Sequence, residues 1–398
     1  MEGFQLNKDA WVQELKEKRS EYGISQNRLA VEASISREYL NKIENLKVAP
    51  TQEIQDCIMK ALEHFNPDAP LEMLFDYVRI RFPTLDVKHI VEDVLRLKLS
   101  YMLHEDYGFY SYSEHYCMGD IFVLVSGEEE KGVLLELKGC GCRQFENYLL
   151  AQERSWYEFF MEALAEGGVM KRLDLAINDR VGILNIPNLT EKCRQEECIS
   201  VFRSFKNYRS GELVRKDEKE CMGNTLYIGS LQSEVYFCIY EKDYEQYKKN
   251  DIPIEEAEVK NRFEIRLKNE RAYYAIRDLM FYDNPESTAF KIINRYIRFV
   301  DKEDGKPRSD WKLNDDWVWF IGENRESMKL TSKPEPYSFR RTLNWISRQV
   351  APTLKMAMKL DEINNTQIIS EIITNAELKE RHEKILKQQA ATAEEVIT

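Results

Sequence analysis

The sequence predicts an α+β protein: an all-helical N-terminal segment, a central antiparallel or mixed β-sheet with covering helices, and a C-terminal helical region. Three observations carry this. Apolar residues recur at helical spacing up to about residue 64, the prolines of "NPDAP" (66–70) break that pattern, and the period then shortens to two across a series of short runs. From 284 onward the helical period returns. The divisions that follow are 1–65, a linker at 66–70, 71–283 and 284–398.

Within the first segment, "DAWVQELKEKRSEYG", "SQNRLAVEAS" and "SREYLNKIENLKV" are short amphipathic stretches. Ser25 and Ser36 suit N-caps for the second and third, and Gly23 suits the end of the first. A further helix, "TQEIQDCIMKALEHF", follows Pro50. Beyond the linker, "FDYVRIRF", "DIFVLVSG", "GVLLELKG", "VMKRLDLAIND", "TLYIGS", "EVYFCIY" and "NRFEIRLKN" read as strands. Between or after them, "DVKHIVEDVLRLKL", "YLLAQERSWYEFFMEALAEGG" and "ERAYYAIRDLMF" read as helices. The C-terminal helices are "STAFKIINRYIRFV", "DDWVWFIGENRESMKL" and "YSFRRTLNWISRQVAPTLKMAMKL", followed by a polar end.

The totals narrow the function. A chain of 398 residues is too long for one ordinary core. No run approaches the roughly 18 apolar residues of a membrane span, and "MEGFQLNKDAW" lacks the features of a secretory signal, so a cytoplasmic protein with no membrane partner is expected. The 8 cysteines form no paired CxxC pattern and read as reduced thiols, while the 5 histidines include no HxH pair. Any metal is therefore expected on carboxylates. A net charge of −12 excludes blanket attraction to nucleic acid and leaves DNA binding to local patches.

Side chains alternate between the faces of a strand. On that rule Glu136, Asp174 and Glu264 each stand mid-way along the polar face of their strand. In "VYFCIYEKDYEQYKK" the same rule puts Tyr236, Cys238, Tyr240 and Lys242 together, opposite Val235, Phe237 and Ile239. If these strands share a sheet, Tyr240 shares a face with all three carboxylates. One reading is a solvated face of paired acids and bases. The other is a set of oxygen ligands for a hard cation, Mg²⁺ or Mn²⁺, beside a phenol and an ammonium. A phenol titrates near 10, so as a nucleophile on a phosphodiester it needs a metal or a positive neighbour. Lys242 or an arginine, for which Arg266 is the candidate, would be that neighbour. Helical spacing of Tyr240, Tyr244 and Tyr247 places a strand-to-helix switch near Glu241, with Tyr244 as reserve nucleophile.

In "FRSFKNYRSGELVRK" (202–216), Arg203, Lys206 and Arg209 interleave with Phe202, Phe205 and Tyr208. Bases stack on aromatic rings while cations follow the phosphates, so this run is either a single-strand DNA contact or an ordinary exposed hairpin.

Two resemblances follow. Ser25-Gln26, Leu29-Ala30, Ile35-Ser36-Arg37, Leu40 and Ile43-Glu44-Asn45 resemble the phage-repressor (Xre-like) helix-turn-helix. This leaves Arg37, Glu38, Asn41 and Lys42 to face a major groove, with Gln26 and Ser36 in the same candidate DNA-binding set. "GCRQFE", "KRLDLAIND", "NTLYIGS…VYFCIYEKDYEQY" and "NRFEIRLKNERA", in this order, resemble the Rep_trans family of rolling-circle replication initiators. With the helix-turn-helix added, the chain is similar to relaxases of Gram-positive conjugative transposons.

The resemblance implies a nicking and closing enzyme acting at an origin of transfer through a 5′-phosphotyrosine. It implies Tyr240 as nucleophile, Asp174 with Glu136 and Glu264 as the acidic metal site, dimers, and recruitment of a host PcrA/UvrD-type helicase. Rival readings are a repressor without enzymatic activity and a metal nuclease that uses water. A tyrosine recombinase does not fit, because the last tyrosine is Tyr337 and none follows "RHEK" at 381–384.

Overall fold

The computed structural model describes residues 2–22, 24–63, 69–128, 130–211, 223–282, 284–322, 333–336, 342–343 and 346–398. They gather into two compact units that are not collinear with the chain. One comprises Met1–Arg81 and Glu153–Lys333, the other Phe82–Gln152 and Pro334–Thr398. Gly23, positions 66–68 of the linker, 212–216 of the basic run, and helix readings over 323–330 and 337–341 lie outside the described residues.

The first unit opens with α1 (Glu2–Glu21), α2 (Gln26–Glu32), α3 (Arg37–Glu44) and α4 (Gln52–Glu63). Ser25 and Ser36 are the caps that the spacing predicts: their hydroxyls accept from the backbone N–H of Arg28 and Tyr39, filling donors a helix start leaves open. Leu15, Leu29, Leu40, Ile43, Ile58 and Leu62 close the core. Glu44 is buried beneath it and accepts from both Arg19, at 2.7 and 3.0 Å, and Gln26, at 2.7 Å.

The same unit holds β1 (Leu71–Phe82), β6 (Val169–Asp179), β8 (Phe205–Arg209), β9 (Asn224–Ile228), β10 (Val235–Glu241) and β11 (Asn261–Lys268). They pair antiparallel throughout, in the order β1-β6-β11-β10-β9-β8. One face of this sheet is apolar and covered by helices. Trp156 and Phe160 of α7 (Trp156–Ala165) meet Phe75 at 5.1 and 5.3 Å between ring centres. Phe320 of α12 (Asp315–Ile321) stacks on Phe263 at 5.6 Å. Between these lie α8 (Ile186–Arg194), α9 (Lys242–Asn250), α10 (Asn269–Tyr282) and α11 (Pro285–Tyr296). A small sheet of β7 (Cys198–Ser200), β12 (Ile297–Asp301) and β13 (Lys312–Leu313) completes the unit.

The second unit pairs β2 (Leu103–Glu105), β3 (Glu114–Met118), β4 (Ile121–Val125) and β5 (Val133–Lys138) in chain order, all antiparallel. A one-turn helix α5 (Val87–His89) continues into a π-helical turn, and α6 (Cys140–Ala151) follows β5. Val396 is buried here, beside a bridge from Leu97 to Ile397.

Three differences from the sequence reading have local causes. The run read as one helix from Tyr148 to Gly168 breaks between Ala151 and Trp156, because Ser155 and Glu158 form a capping box that starts a new helix. "STAFKIINRYIRFV" leaves the helix at Tyr296, since Ile297–Asp301 pair with β7 and β13. The strands β2, β3, β7 and β8 are too short or too polar to show a period.

Candidate active site

The polar face of the first unit's six strands is ordered in rows by the strand register. Tyr77, Asp174, Arg266 and Tyr236 align across β1, β6, β11 and β10. The next row is Ala176, Glu264, Cys238, Tyr227 and Lys206. The third is Glu72, Asn178, Arg262, Tyr240, Thr225 and Tyr208. The site is therefore set by period and register: its side chains sit on strand backbone, apart from Lys242 and Glu245 on α9.

Tyr240 is the penultimate residue of β10, and the chain turns helical at Lys242, as the overlap of the two periods predicts. Its phenol donates to Glu264 Oε1 at 2.9 Å. Lys242 Nζ stands 3.5 Å from the phenol oxygen and is also held by Glu245. Burial, reinforced by the Glu264 charge, pushes the Tyr240 phenol well above its ordinary value. Burial and then the neighbouring Arg262 push the Lys242 ammonium down.

The carboxylates are braced by arginines. Arg266 donates to Glu264 Oε2 from Nε and Nη2 at 2.8 and 2.6 Å, and its Nε lies 3.6 Å from Asp174 Oδ2. Arg172 forks onto both oxygens of Asp174 at 2.9 and 2.6 Å. Even so, burial lifts the Asp174 carboxyl to about 6, with the Glu264 charge adding to it. Arg262 ties the third row together, donating to Asn178 Oδ1 and Asp76 Oδ1 at 2.8 Å each. Asp174 and Glu264 thus crowd two buried carboxylates into adjacent rows; a hard divalent ion, which commonly takes one or two protein carboxylates with water and phosphate oxygens in its remaining positions, would replace guanidinium contacts there.

The structure brings Tyr240, Lys242, Arg266, Asp174 and Glu264 onto one face. Glu136 is buried on β5 of the other unit and pairs with Lys138 at 2.7 Å. In the helix-turn-helix, Gln26 and Asn41 are joined side chain to side chain at 3.1 Å, Glu38 and Lys42 pair at 2.7 Å, and Arg37 is exposed. Lys206 lies on the site face of β8 with Tyr208, whose ring meets Tyr227 edge-on at 5.8 Å. Arg209 lies on the opposite face and Arg203 precedes the strand, both exposed.

Sequence reasoning missed Asp76, Arg172, Arg262 and Glu245. A register shift between Phe75 and Tyr77 takes Asp76 out of the alternation. The arginines were visible on the polar face but have roles only once their partners are known. Also missed was His104, Asp106 and Glu114, whose ligating atoms lie within 4.8 Å of one another among the described residues. The turn between β2 and β3 brings them together, whereas the sequence shows no HxH. His104 Nε2 is 2.6 Å from Glu114 Oε2, and the group is largely exposed.

Comparison with known proteins gives the family. Residues 168–373 match the family Rep_trans, described as replication initiation factor. Residues 72–162 match the rolling-circle replication initiation protein N-terminal domain, and residues 15–54 match a helix-turn-helix family. A curated relative, "Putative DNA relaxase NicK" of Bacillus subtilis (strain 168), is 40% identical over 320 residues, covering 80% of this chain and 90% of the relative. The solved rolling-circle replication initiator protein from Geobacillus stearothermophilus superposes with a TM-score of 0.57 at 23% identity, over 66% of this chain and 99% of that one, which shows a shared α+β fold. The chain belongs to the Rep_trans family of rolling-circle replication initiators and relaxase-type proteins.

Proposed function

We propose that the chain is a DNA relaxase that nicks one strand at an origin of transfer through attack by Tyr240. The observation that carries this is the Tyr240 phenol, 2.9 Å from Glu264 Oε1 and 3.5 Å from Lys242 Nζ at the end of a rigid strand. Glu264 takes the phenol proton as general base, and Lys242 and Arg262 balance the negative charge left on the phenolate. Oη attacks phosphorus, the bond from phosphorus to O3′ breaks, and the 3′ oxygen leaves as a hydroxyl by taking a proton from water. The DNA 5′ end is then joined to Tyr240 as a phosphodiester, and attack by a 3′ hydroxyl reverses the step.

Asp174 and Glu264 would hold Mg²⁺ or Mn²⁺. A bound ion would polarise the scissile phosphate and offset charge on its oxygens. Arg172 and Arg266 hold the two buried carboxylates in place through their guanidinium contacts. The helix-turn-helix presents Arg37, Glu38, Asn41 and Lys42, with Gln26 and Ser36 at its base, to origin duplex. Lys206 and Tyr208 receive single strand on the site face, flanked by Arg203 and Arg209. The free 3′ hydroxyl serves rolling-circle synthesis and conjugative transfer, with a PcrA/UvrD-type host helicase unwinding ahead. Family membership supports that partner and a homodimeric state.

The test is a set of 5′- and 3′-labelled single-stranded oligonucleotides tiled across an origin, incubated with Mg²⁺ or Mn²⁺ and run on a denaturing protein gel. A shifted 3′-labelled strand with wild type and none with Tyr240→Phe is expected. Cleavage without an adduct would replace tyrosine by water. An adduct that persists in the variant would move the nucleophile to Tyr244 or another phenol.

A further inference from the structure

A cleft of about 190 Å³ opens where α10 and α11 meet the far ends of β10 and β11. Val235 and Leu267 belong to its wall and lie on the apolar side of the sheet. Two other chemistries line it: the tyrosines 274, 282 and 296, and the cations Arg271, Lys291 and Arg295. Asp278, the acid in the wall, is engaged by Arg277 at 3.2 Å. None of the three cations makes an ion pair with a described carboxylate. In a chain of net charge −12, three such cations in one cleft call for an anion from outside. Tyr274 and Tyr282 stay 40% and 56% exposed, and Lys291 Nζ lies 5.0 Å from the Tyr282 ring centre. Exposed rings alternating with cations are the pairing that suits stacked bases on a charged backbone.

The cleft also continues into elements already described. The Tyr296 ring stacks on Phe202 at 4.9 Å, next to Arg203 and the strand that carries Lys206. On the other side, β11 carries Arg266 and Lys268 on the polar face and runs straight into α10, where Arg271 lines the cleft. Cations thus step round the end of the sheet from the Tyr240 face. Val235 and Tyr240 stand about 17 Å apart along β10 at the rise of a strand.

We propose that this cleft seats the unpaired DNA strand flanking the nick, its bases on Tyr274 and Tyr282 and its phosphates on Arg271, Lys291 and Arg295. This rests on the nicking reading above, and the test separates the two. Binding is measured in a Tyr240→Phe background, so that strands stay whole, using an oligonucleotide confined to the nick and versions extended by ten nucleotides on either side. Arg271→Ala/Arg295→Ala and Tyr274→Ala are expected to weaken binding of an extended strand at least tenfold and leave the short one unchanged. The double variant should also lower the salt slope by about 1.4, two phosphate contacts on a single strand, and Arg271→Lys/Arg295→Lys should restore it.

Equal affinity of wild type and variants for the extended strands overturns the proposal, and so does equal loss on short and extended strands. If the variants instead keep strand binding and lose association with another protein, the cleft is a protein contact and the proposal falls. In a Tyr240-intact protein that binds extended strands through the cleft but forms no adduct, the nicking reading fails and the cleft stands.

Discussion

Glu264 holds the proton acceptor nearest the Tyr240 phenol, so Glu264→Gln should cut the adduct-forming rate by about 10²-fold or more while Tyr240→Phe abolishes it. Single-turnover kinetics on a labelled strand would show both. Asp174→Ala should abolish nicking while leaving duplex binding by the helix-turn-helix nearly intact, and circular dichroism melts would separate that from unfolding. Glu245 gives a pH prediction. Burial would raise its carboxyl, but Lys242 and Lys249 hold it at about 2, below the ordinary 4.5. A depressed carboxylate stabilises the fold above its unfolded value, and this is lost as pH falls through 4.5 toward 2. The melting temperatures of wild type and Glu245→Gln should therefore differ most at neutral pH and converge between pH 4.5 and 2.

Among elements, the helix-turn-helix offers the sharpest test. Glu44 is buried against Arg19 and Gln26, and removing its carboxylate takes away the anion that the partly buried Arg19 guanidinium pairs with, at a cost of about 3 kcal/mol. Glu44→Ala should abolish duplex binding yet leave adduct formation on a single-stranded oligonucleotide, which two gel assays would decide. Glu44 was visible in the sequence only as part of a motif, because its role depends on Arg19, a residue of another helix. The strands bearing Asp174, Glu264 and Tyr240 were legible for a simpler reason: period two assigns faces without knowledge of neighbours. Strand order was not legible. Nothing in the sequence says that β11 lies between β6 and β10, yet this order brings Asp174 and Glu264 into adjacent rows. Asp76 was hidden by the bulge that delivers it to Arg262.

For the molecule as a whole, the compact units run across the stretch that reads as a separate C-terminal helical region. Trp317 and Phe320 are fully buried, with Phe320 stacked on Phe263, directly behind the Glu264 strand. A fragment of residues 71–283 should consequently be insoluble or melt without cooperativity, whereas 71–398 should keep a sigmoidal melt and nick single strands. Differential scanning calorimetry of the two fragments would settle this.

The antiparallel sheet also sets a timetable. The pairing of β1 with β6 waits about a hundred residues, and β6 then waits for β11. At roughly 5–20 residues per second on the ribosome, the interval from residue 82 to residue 268 lasts about 10–40 s. The helix-turn-helix emerges whole before that interval begins. A nascent chain therefore gains the means to grip duplex well before Tyr240 and Glu264 can meet, so the capacity to cut DNA is assembled last.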